Sequence, residues 1–361
     1  MGSPGPVTVA VTNFDGAAFL EECLDAVAAL RGDIAEVLVV DNASTDDSVE
    51  RIVGHELVRS GRARLLELSA NDGPCPARNR ALSAAGTPWV LQIDSDVILP
   101  PDTLERLRPQ TAEPGVVAVQ PRAVLAHDPD TVHYDAGAMH YVGVMCLSNL
   151  LSASGGAAGA PRDVDAVISM ALLLDRRAVL DAGGYDPAFF ILFEDHDLSY
   201  RLRARGLRLR LVPEAVVWHR EGTRGLSYRP GAPSYPARRA FLHARNRAYL
   251  VLKNYSWPAL LLSLPGRVVF GLTWWVFALR RGVGWSYLKG RLDLLRLVPR
   301  ALSLRKDLGG RRRVGDRTLL GAADLTFSPV IARRGIEDRL EHALSRVLRF
   351  WWRCIRWMVP A

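Results

Sequence analysis

Two acidic stretches carry the residue types from which chemistry can be built. The first is Trp89-Val90-Leu91-Gln92-Ile93-Asp94-Ser95-Asp96-Val97-Ile98, an apolar run that ends in two carboxylates spaced Asp-x-Asp. Two carboxylates in apolar surroundings repel each other and resist desolvation. A hard divalent cation removes both difficulties, because Mg²⁺ and Mn²⁺ take oxygen ligands and Mg²⁺ commonly combines one or two carboxylates with substrate phosphates. The motif reads as a site for a metal-held phosphate ligand; the plainer reading is two polar residues at a strand-to-loop turn. The second stretch is Phe189-Phe190-Ile191-Leu192-Phe193-Glu194-Asp195-His196-Asp197-Leu198. An acid-rich helix N-terminus, favoured by the helix dipole, explains one or two of its acids. It does not explain why they abut an aromatic run, where desolvation raises a carboxylate pKa toward values useful to a general base. Asp41 closes another apolar run, and His219 closes Val216-Val217-Trp218-His219. A ligand to the same metal would fit at His219, although a lone histidine there is more often a hydrogen-bonded core residue.

These residues need a scaffold that brings them together. Val7 to Thr12 reads as a strand, and Asn13 or Asp15 could cap the helix that carries Phe19, Leu20, Cys23, Leu24, Val27 and Leu30 up to Gly32. Glu36 to Asp41 is a second strand, and Ser44 to Asp47 resembles a capping box before a helix near Val49 to Ile52. Leu65 to Leu68, the turn Asn71-Asp72-Gly73-Pro74, a helix from Ala77 and the strand Trp89 to Ile93 complete a βαβαβαβ alternation. Such alternation predicts an α/β fold: a mostly parallel, Rossmann-like sheet with helices on both faces. Its strands end on one edge, where Asp41 and Asp94 converge. No G-x-G-x-x-G follows the first strand and no P-loop motif occurs, which disfavours a dinucleotide or P-loop fold.

Further along, Thr103 to Arg108 reads as a helix and Val116 to Gln120 as a strand. Residues 122–165 read as irregular, substrate-facing structure with a mobile loop near 152–162, and His127, His133 and His140 as polar surface. The helix through Leu198, Leu202 and Leu207 would carry Arg201, Arg203 and Arg205 outward. Leu209 to Val212 and Val216 to His219 read as two short strands on either side of Pro213.

The chain has 361 residues, 49% hydrophobic and 23% charged, enough for one large domain and a smaller one. Cys23, Cys75, Cys146 and Cys354 are scattered, so neither a zinc site nor a disulfide framework is expected, and reduced cytosolic thiols fit. The N-terminus, Met1-Gly2-Ser3-Pro4-Gly5-Pro6, lacks a basic, apolar signal region. Residues 1–230 hold 21 Lys+Arg and 31 Asp+Glu, a balance of −10; residues 231–361 hold 25 and 7, a balance of +18. That shift sets the expected boundary between a catalytic domain (1–230) and a basic helical region (231–361). A basic region of this kind suits an anionic surface.

Pro258 to Leu279 is nearly all apolar over 22 residues but is broken by Pro265-Gly266-Arg267. It is long enough to span a bilayer, yet the arginine makes a plain span costly, so a kinked, half-inserted helix pair fits as well. Trp274, Trp275 and Trp285 suit an interfacial belt. At the end of the chain, Leu340, Leu344, Val347, Leu348, Trp351, Ile355 and Met358 share one helical face, with arginines on the others. Basic amphipathic helices with tryptophan lie on anionic membranes; packing on the catalytic domain or on a dimer partner is the alternative. No recognition motif for nucleic acid accompanies the charge.

Taken in order, Val7 to Asn13, Val39-Val40-Asp41-Asn42-Ala43-Ser44-Thr45-Asp46, Arg78-Asn79, Asp94-Ser95-Asp96, Gly183-Gly184-Tyr185-Asp186, Glu194 to Leu198 and Pro213 to His219 resemble a family 2 inverting glycosyltransferase with the nucleotide-sugar-binding A-type fold. Within it the chain is similar to rhamnosyltransferase-like members of bacterial glycan assembly with a basic, membrane-associating C-terminal tail. The resemblance covers roughly residues 7–220. It implies that Thr12 and Asp41 hold the nucleotide base, Asp94 the ribose or base, and Arg78 and Asn79 the diphosphate-sugar side, with Asn13, Asn71 and Ser95 also among the nucleotide-sugar-binding residues. It implies a Mg²⁺ or Mn²⁺ ion on Asp96 and His219, Asp195 as catalytic base, and Glu194 in support of the acceptor pocket. The Pro-rich stretch around Cys75 and the histidine at 196 depart from the family pattern.

The expected activity is inverting transfer of a sugar from a nucleotide sugar to a lipid-linked or cell-surface glycan. A UDP- or dTDP-sugar is favoured and a GDP-sugar possible. The expected place is the cytosolic membrane face, without nucleic acid and with room for a homodimer. The competing functions are a sugar-phosphate nucleotidyltransferase, which would need a Gly-rich basic loop after the first strand, and a non-catalytic membrane adaptor on a degenerate transferase fold.

Overall fold

The computed structural model describes residues 5–153, 159–221, 234–326 and 336–361. In chain order the strands are β1 (Val7–Asn13), β2 (Ile34–Asp41), β3 (Ala63–Glu67), β4 (Trp89–Asp94), β5 (Val97–Ile98), β6 (Val116–Leu125), β7 (Asp128–Tyr134), β8 (Gly137–His140), β9 (Val144–Leu147), β10 (Ser152–Ala153), β11 (Arg162–Val164), β12 (Ala171–Asp175) and β13 (Arg208–His219). All except the β8–β9 hairpin join one mixed sheet, with the main order β10-β7-β6-β12-β4-β1-β2-β3. The block β3-β2-β1-β4 is parallel, as the alternation predicts. β12 then runs antiparallel between β4 and β6, and β13 lies off the main path, paired with β5, β6 and β11.

The parallel block is buried on both faces, which is why β1 reads Val-Thr-Val-Ala-Val-Thr-Asn without polar alternation. On one face Ala10, Leu38, Val40, Val90 and Leu172 pack against Ala77 and Ala81 of the helix Pro74–Ala84 and Leu198 and Leu202 of the helix Glu194–Ala204. The helix Ala17–Ala28 buries Leu20, Cys23, Leu24 and Val27, the face that its spacing predicts.

Several local expectations give way to tertiary contacts. The helices Ala17–Ala28 and Ser48–Gly54 have no side-chain cap from their own N-cap residues. Asp46 Oδ2 instead accepts from Ala17 N (3.1 Å), and Ser44 Oγ donates to Asp41 Oδ2 (2.7 Å) rather than closing a capping box. Residues 122–165 are not irregular: they hold the end of β6 and β7 to β11. Of the mobile loop expected at 152–162, residues 154–158 lie outside the described residues, and its flanks contribute to β10 and β11. Leu209 to His219 belongs to one strand with an irregularity between Val212 and Val216. Arg201 is buried, because its guanidinium binds Asp197 Oδ2 (2.8 Å) and the carbonyls of Ala182 and Gly184 (both 2.6 Å).

The chain divides into two compact units, 1–136 with 148–202 and 207–222, and 137–147 with 203–206 and 223–361. The hairpin β8–β9 thus groups with the helical unit, which a single cut near residue 230 does not provide. Within that unit the Tyr141 ring stacks on Trp352 (4.9 Å, 8°) and its hydroxyl donates to the Leu348 carbonyl (3.0 Å). The helices Ala237–Asn254 and Gly284–Arg311 meet so closely that a Cβ at Gly290 would collide with the Phe241 carbonyl. The apolar run from Pro258 is two helices, Trp257–Leu262 and Leu264–Arg280, divided at Ser263 rather than at Gly266. Among the described residues no helix is long and apolar enough to cross a membrane. The last helix, Ile336–Ile355, buries Leu348, Trp352 and Ile355, whereas Val347 and Met358 from the expected face are exposed.

Candidate functional site

Register alone delivers the first part of the site. Thr12 pairs with Asp94 across β1–β4, and Asn13 with Asp41 across β1–β2, so the polar ends of three parallel strands stand side by side. Asp41 is buried and fully engaged. Its Oδ1 accepts from Ser44 N (2.8 Å), and its Oδ2 from Asn13 Nδ2 (2.8 Å) and Ser44 Oγ (2.7 Å). Asn71 Oδ1 accepts from Asn42 Nδ2 (2.9 Å) and Gly73 N (3.0 Å), which shapes the turn before the helix Pro74–Ala84. Ser95 N donates to the Thr12 carbonyl (3.0 Å) and closes the β4 end onto β1.

Arg78 is the hub. Ala77 and Ala81 seat its helix on the sheet face to which Asp94 also belongs, so the guanidinium reaches Asp94 with Nη2 at 3.0 and 2.9 Å from its two oxygens. The same side chain stands 3.3 Å from Glu194 Oε1 and 3.9 Å from Asp195 Oδ1, and it is 4% exposed. It is therefore the counter-ion of three carboxylates, which revises the expectation that it lines the diphosphate. Asn79 is also redirected: its amide donates to the Tyr185 carbonyl (2.7 Å) and accepts from Tyr185 N (2.8 Å), fastening the Gly183-Gly184-Tyr185 turn. Burial raises the Asp94 pKa, with the Arg78 charge opposing it.

Glu194 and Asp195 open the helix Glu194–Ala204 after three residues in left-handed backbone, Phe190 (φ 63°), Leu192 (φ 72°) and Phe193 (φ 74°). Bulky side chains rarely adopt that region, and such strain concentrates at functional sites. The segment is held against the Gly73 turn, where a Cβ would collide with the Phe190 carbonyl. Burial first, and Asp195 second, raise the Glu194 carboxyl above the usual carboxylate range, with the Arg78 charge opposing them. Asp195 Oδ1 has no hydrogen-bond partner among the described residues. His196 is buried, stays neutral because burial pushes it down to about 4, and stacks near Phe193 (6.5 Å, 17°). It serves as an aromatic side chain at a position where the family pattern is apolar or aromatic.

The metal-side pair is brought together by antiparallel pairing. β13 runs against β5 with His219 opposite Val97, and Arg220 N donates to the Asp96 carbonyl (2.9 Å). His219 Nε2 then lies 3.4 Å from Asp96 Oδ2. Burial alone would lower the His219 pKa, but the hydrogen bond and charge of Asp96, with Asp94 and Glu221 behind it, outweigh burial and raise it. His133, expected at polar surface, instead stands 3.0 Å from His219, Nδ1 to Nδ1; burial, then the His219 charge, push it down to about 3. His127 is exposed, whereas His140 is buried. Tyr134 was not singled out by residue type either. Its hydroxyl is buried, and after burial its ionisation is opposed most by Asp195, Asp94 and Asp96, so one side chain senses all three acids. No sequence signal marks His133 or Tyr134, since both sit in the stretch whose strands carry little periodicity.

The profile of glycosyl transferase family group 2 matches residues 89–289, more than half of the chain, and that of glycosyl transferase family 2 matches residues 8–165. A pre-mycofactocin glycosyltransferase of Mycobacterium tuberculosis is 28% identical over 334 residues, covering 90% of this chain and 61% of that protein. A poly-beta-1,6-N-acetyl-D-glucosamine synthase of Staphylococcus aureus is 23% identical over 216 residues, covering 59% of this chain and 49% of that protein. The chain thus spans about half to three fifths of the length of these curated relatives. A crystal structure of GalNAc-T7 with UDP, GalNAc and Mn²⁺ is similar in fold, with a TM-score of 0.57 at 16% identity, covering 73% of this chain and 51% of that one. The longer profile match contains Asp94, Asp96, Glu194, Asp195 and His219, and the chain belongs to glycosyl transferase family group 2.

Proposed function

We propose that the chain transfers a hexosyl or deoxyhexosyl group, with inversion and with a divalent metal, from a nucleoside-diphosphate sugar to a hydroxyl of a lipid-linked or cell-surface glycan. The observation that carries this reading is the meeting at Arg78, whose guanidinium lies 2.9 Å from Asp94, 3.3 Å from Glu194 and 3.9 Å from Asp195. The acid read as nucleoside-facing and the acid read as base therefore share one cation, and Asp96 follows Asp94 by two residues. Thr12 supports it: its Oγ1 donates to Asp94 Oδ1 (2.9 Å) and orients that carboxylate at the nucleoside end.

Among the described residues no group of three or more His, Cys, Asp or Glu is placed to hold a metal. Asp96 and His219 are the residues that would hold a Mg²⁺ or Mn²⁺ ion. Bound there, the ion would supply positive charge for a departing nucleoside diphosphate. Asp195 accepts the proton of the acceptor hydroxyl, and that oxygen attacks the anomeric carbon opposite the leaving group. Arg78 holds Asp195 and Glu194 beside Asp94.

We place the activity at the cytosolic face of a membrane. Along the helix Leu264–Arg280, Leu264, Val268, Leu272, Val276 and Leu279 are exposed on a shared stripe, with Arg280 and Arg281 at its end. Exposed Trp257 and Trp285 suit the interfacial depth.

Calorimetry with UDP, dTDP and GDP, each with and without Mn²⁺, tests the donor side. One nucleotide should bind more tightly with metal, and Asp96→Ala should remove that gain; a metal gain that persists in Asp96→Ala overturns the metal role. Flotation of the full chain with phosphatidylglycerol vesicles tests the surface. Protein left in the soluble fraction overturns it.

A further inference from the structure

Four side chains form a line that leads away from the proposed metal position. Asp96 Oδ2 lies 3.4 Å from His219 Nε2, His219 Nδ1 lies 3.0 Å from His133 Nδ1, and His133 Nε2 lies 3.4 Å from Glu221 Oε1. The two imidazoles are stacked at 5.0 Å between centroids and 28° between planes.

The backbone makes special provision for this line. Across β6 and β7, Ala123 opposes Tyr134 while Val124 opposes Val132, so His133 is the extra residue of a bulge. A bulge re-aims a side chain and recurs next to active sites. Here it accompanies a ring set against His219, which belongs to a strand on the other side of β6. At the far end Glu221 sits at φ 55°, in a region few residues other than glycine occupy. Two irregularities in separate parts of the chain thus serve a single line of contacts.

The hydrogens along the line follow from its chemistry. A metal takes the lone pair of a neutral imidazole nitrogen, so a ligating His219 Nε2 carries no hydrogen and Nδ1 does. That hydrogen points at His133 Nδ1, which must then accept. His133 keeps its own hydrogen on Nε2, facing the Glu221 carboxylate, a group that only accepts. The anionic end at Glu221 therefore selects the tautomer of His133, and His133 selects that of His219.

We propose that His133 and Glu221 are positioning residues, which hold His219 in the tautomer and ring orientation that bind a divalent cation jointly with Asp96. The proposal rests on the metal reading above. Partners behind a ligating histidine fix its ring and increase its basicity, and their loss typically costs about 10–100-fold in metal affinity.

The test counts bound Mn²⁺ by the electron paramagnetic resonance signal of the free ion. The full chain is titrated alone and with whichever of UDP, dTDP or GDP it binds. His133→Ala should weaken Mn²⁺ by about 10–100-fold while nucleotide binding without metal stays at the wild-type level. His133→Asn, whose side-chain oxygen can accept where Nδ1 stood, should recover most of that loss. Glu221→Ala should weaken Mn²⁺ by roughly tenfold, the low end of the same range, and it carries the test if His133→Ala does not fold. Mn²⁺ affinity within twofold of wild type in both His133→Ala and Glu221→Ala, with His219→Ala strongly weakened, overturns the positioning role alone. Mn²⁺ affinity unchanged in His219→Ala overturns the metal reading itself.

Discussion

Asp41 and Asp94 reach the cleft by the register of a parallel sheet, whereas Asp96, His219 and His133 reach it through departures from that register. On the nucleoside side, Asn13 opposes Asp41 and Thr12 opposes Asp94, so each acid arrives where its own strand ends. On the metal side, a two-residue strand, a long strand with an internal irregularity and a bulge must coincide before Asp96, His219 and His133 touch. The first side is robust because regular backbone hydrogen bonds fix it. The second depends on a few residues in uncommon conformations, the kind of structure that functional sites retain. Arg78 ties Asp94 to the proposed base, since one guanidinium meets Asp94, Glu194 and Asp195.

Perturbing each side in turn shows whether they divide the work in this way. The largest effect on turnover belongs to Asp195→Asn, which should lower kcat by about 10²–10⁴-fold with donor binding unchanged by calorimetry; near-wild-type turnover would remove Asp195 as the base. The largest effect on stability belongs to Arg78→Ala. It leaves buried carboxylates without their cation, and urea unfolding should register a loss of about 3–5 kcal/mol. A loss below about 1 kcal/mol would mean that the acids do not depend on it.

Asp41→Asn is milder. Both oxygens of Asp41 accept, so an amide nitrogen in place of one faces a donor, and about 1–3 kcal/mol should go. Nucleotide affinity should fall with it, while Mn²⁺ affinity in the absence of nucleotide should not; loss of the latter would erase the distinction between the two sides.

The most gradual effect, the smallest per pH unit, is a slope with pH. The Glu194 pKa is raised on folding from 4.5 to about 8, so its contribution to stability is complete below about 4.5 and is lost as pH rises through about 8. The unfolding free energy should fall across that window, by at most about 1.4 kcal/mol per pH unit for one proton. Glu194→Gln should flatten the fall; an unchanged slope would assign it to another group.

Much of the nucleoside side was legible in the chain. Val39-Val40-Asp41 and Leu91-Gln92-Ile93-Asp94 announce strands by β-branched and apolar content, and alternation with helices makes them parallel. The pair Glu194-Asp195 stood out for another reason, since an acid pair directly after five apolar residues has no plain structural account. Three things were not legible. Arg78 looked like a ligand-facing residue, because nothing in its neighbourhood in the chain shows that Glu194, more than a hundred residues away, lies 3.3 Å from it. Asn79 looked like a site residue but is consumed by the Tyr185 turn. Residues 122–165 looked irregular because their strands are short and pair with distant partners, and His133 was read as polar surface with them. The same limit applies in part to the last helix, where periodicity marked Leu348 and Ile355, which are buried, but also marked Val347, which is exposed, and missed the buried Trp352.

The sequence by itself determined the parallel block, the acids at its carboxyl edge and the family, because those depend on local periodicity and on motifs whose order along the chain is diagnostic. Only the tertiary structure decided which charges are paired, which histidines meet and which acid is buried against its neighbours. Those properties depend on distances between side chains from separate strands and on the low dielectric in which they meet, and neither is encoded in spacing along the chain.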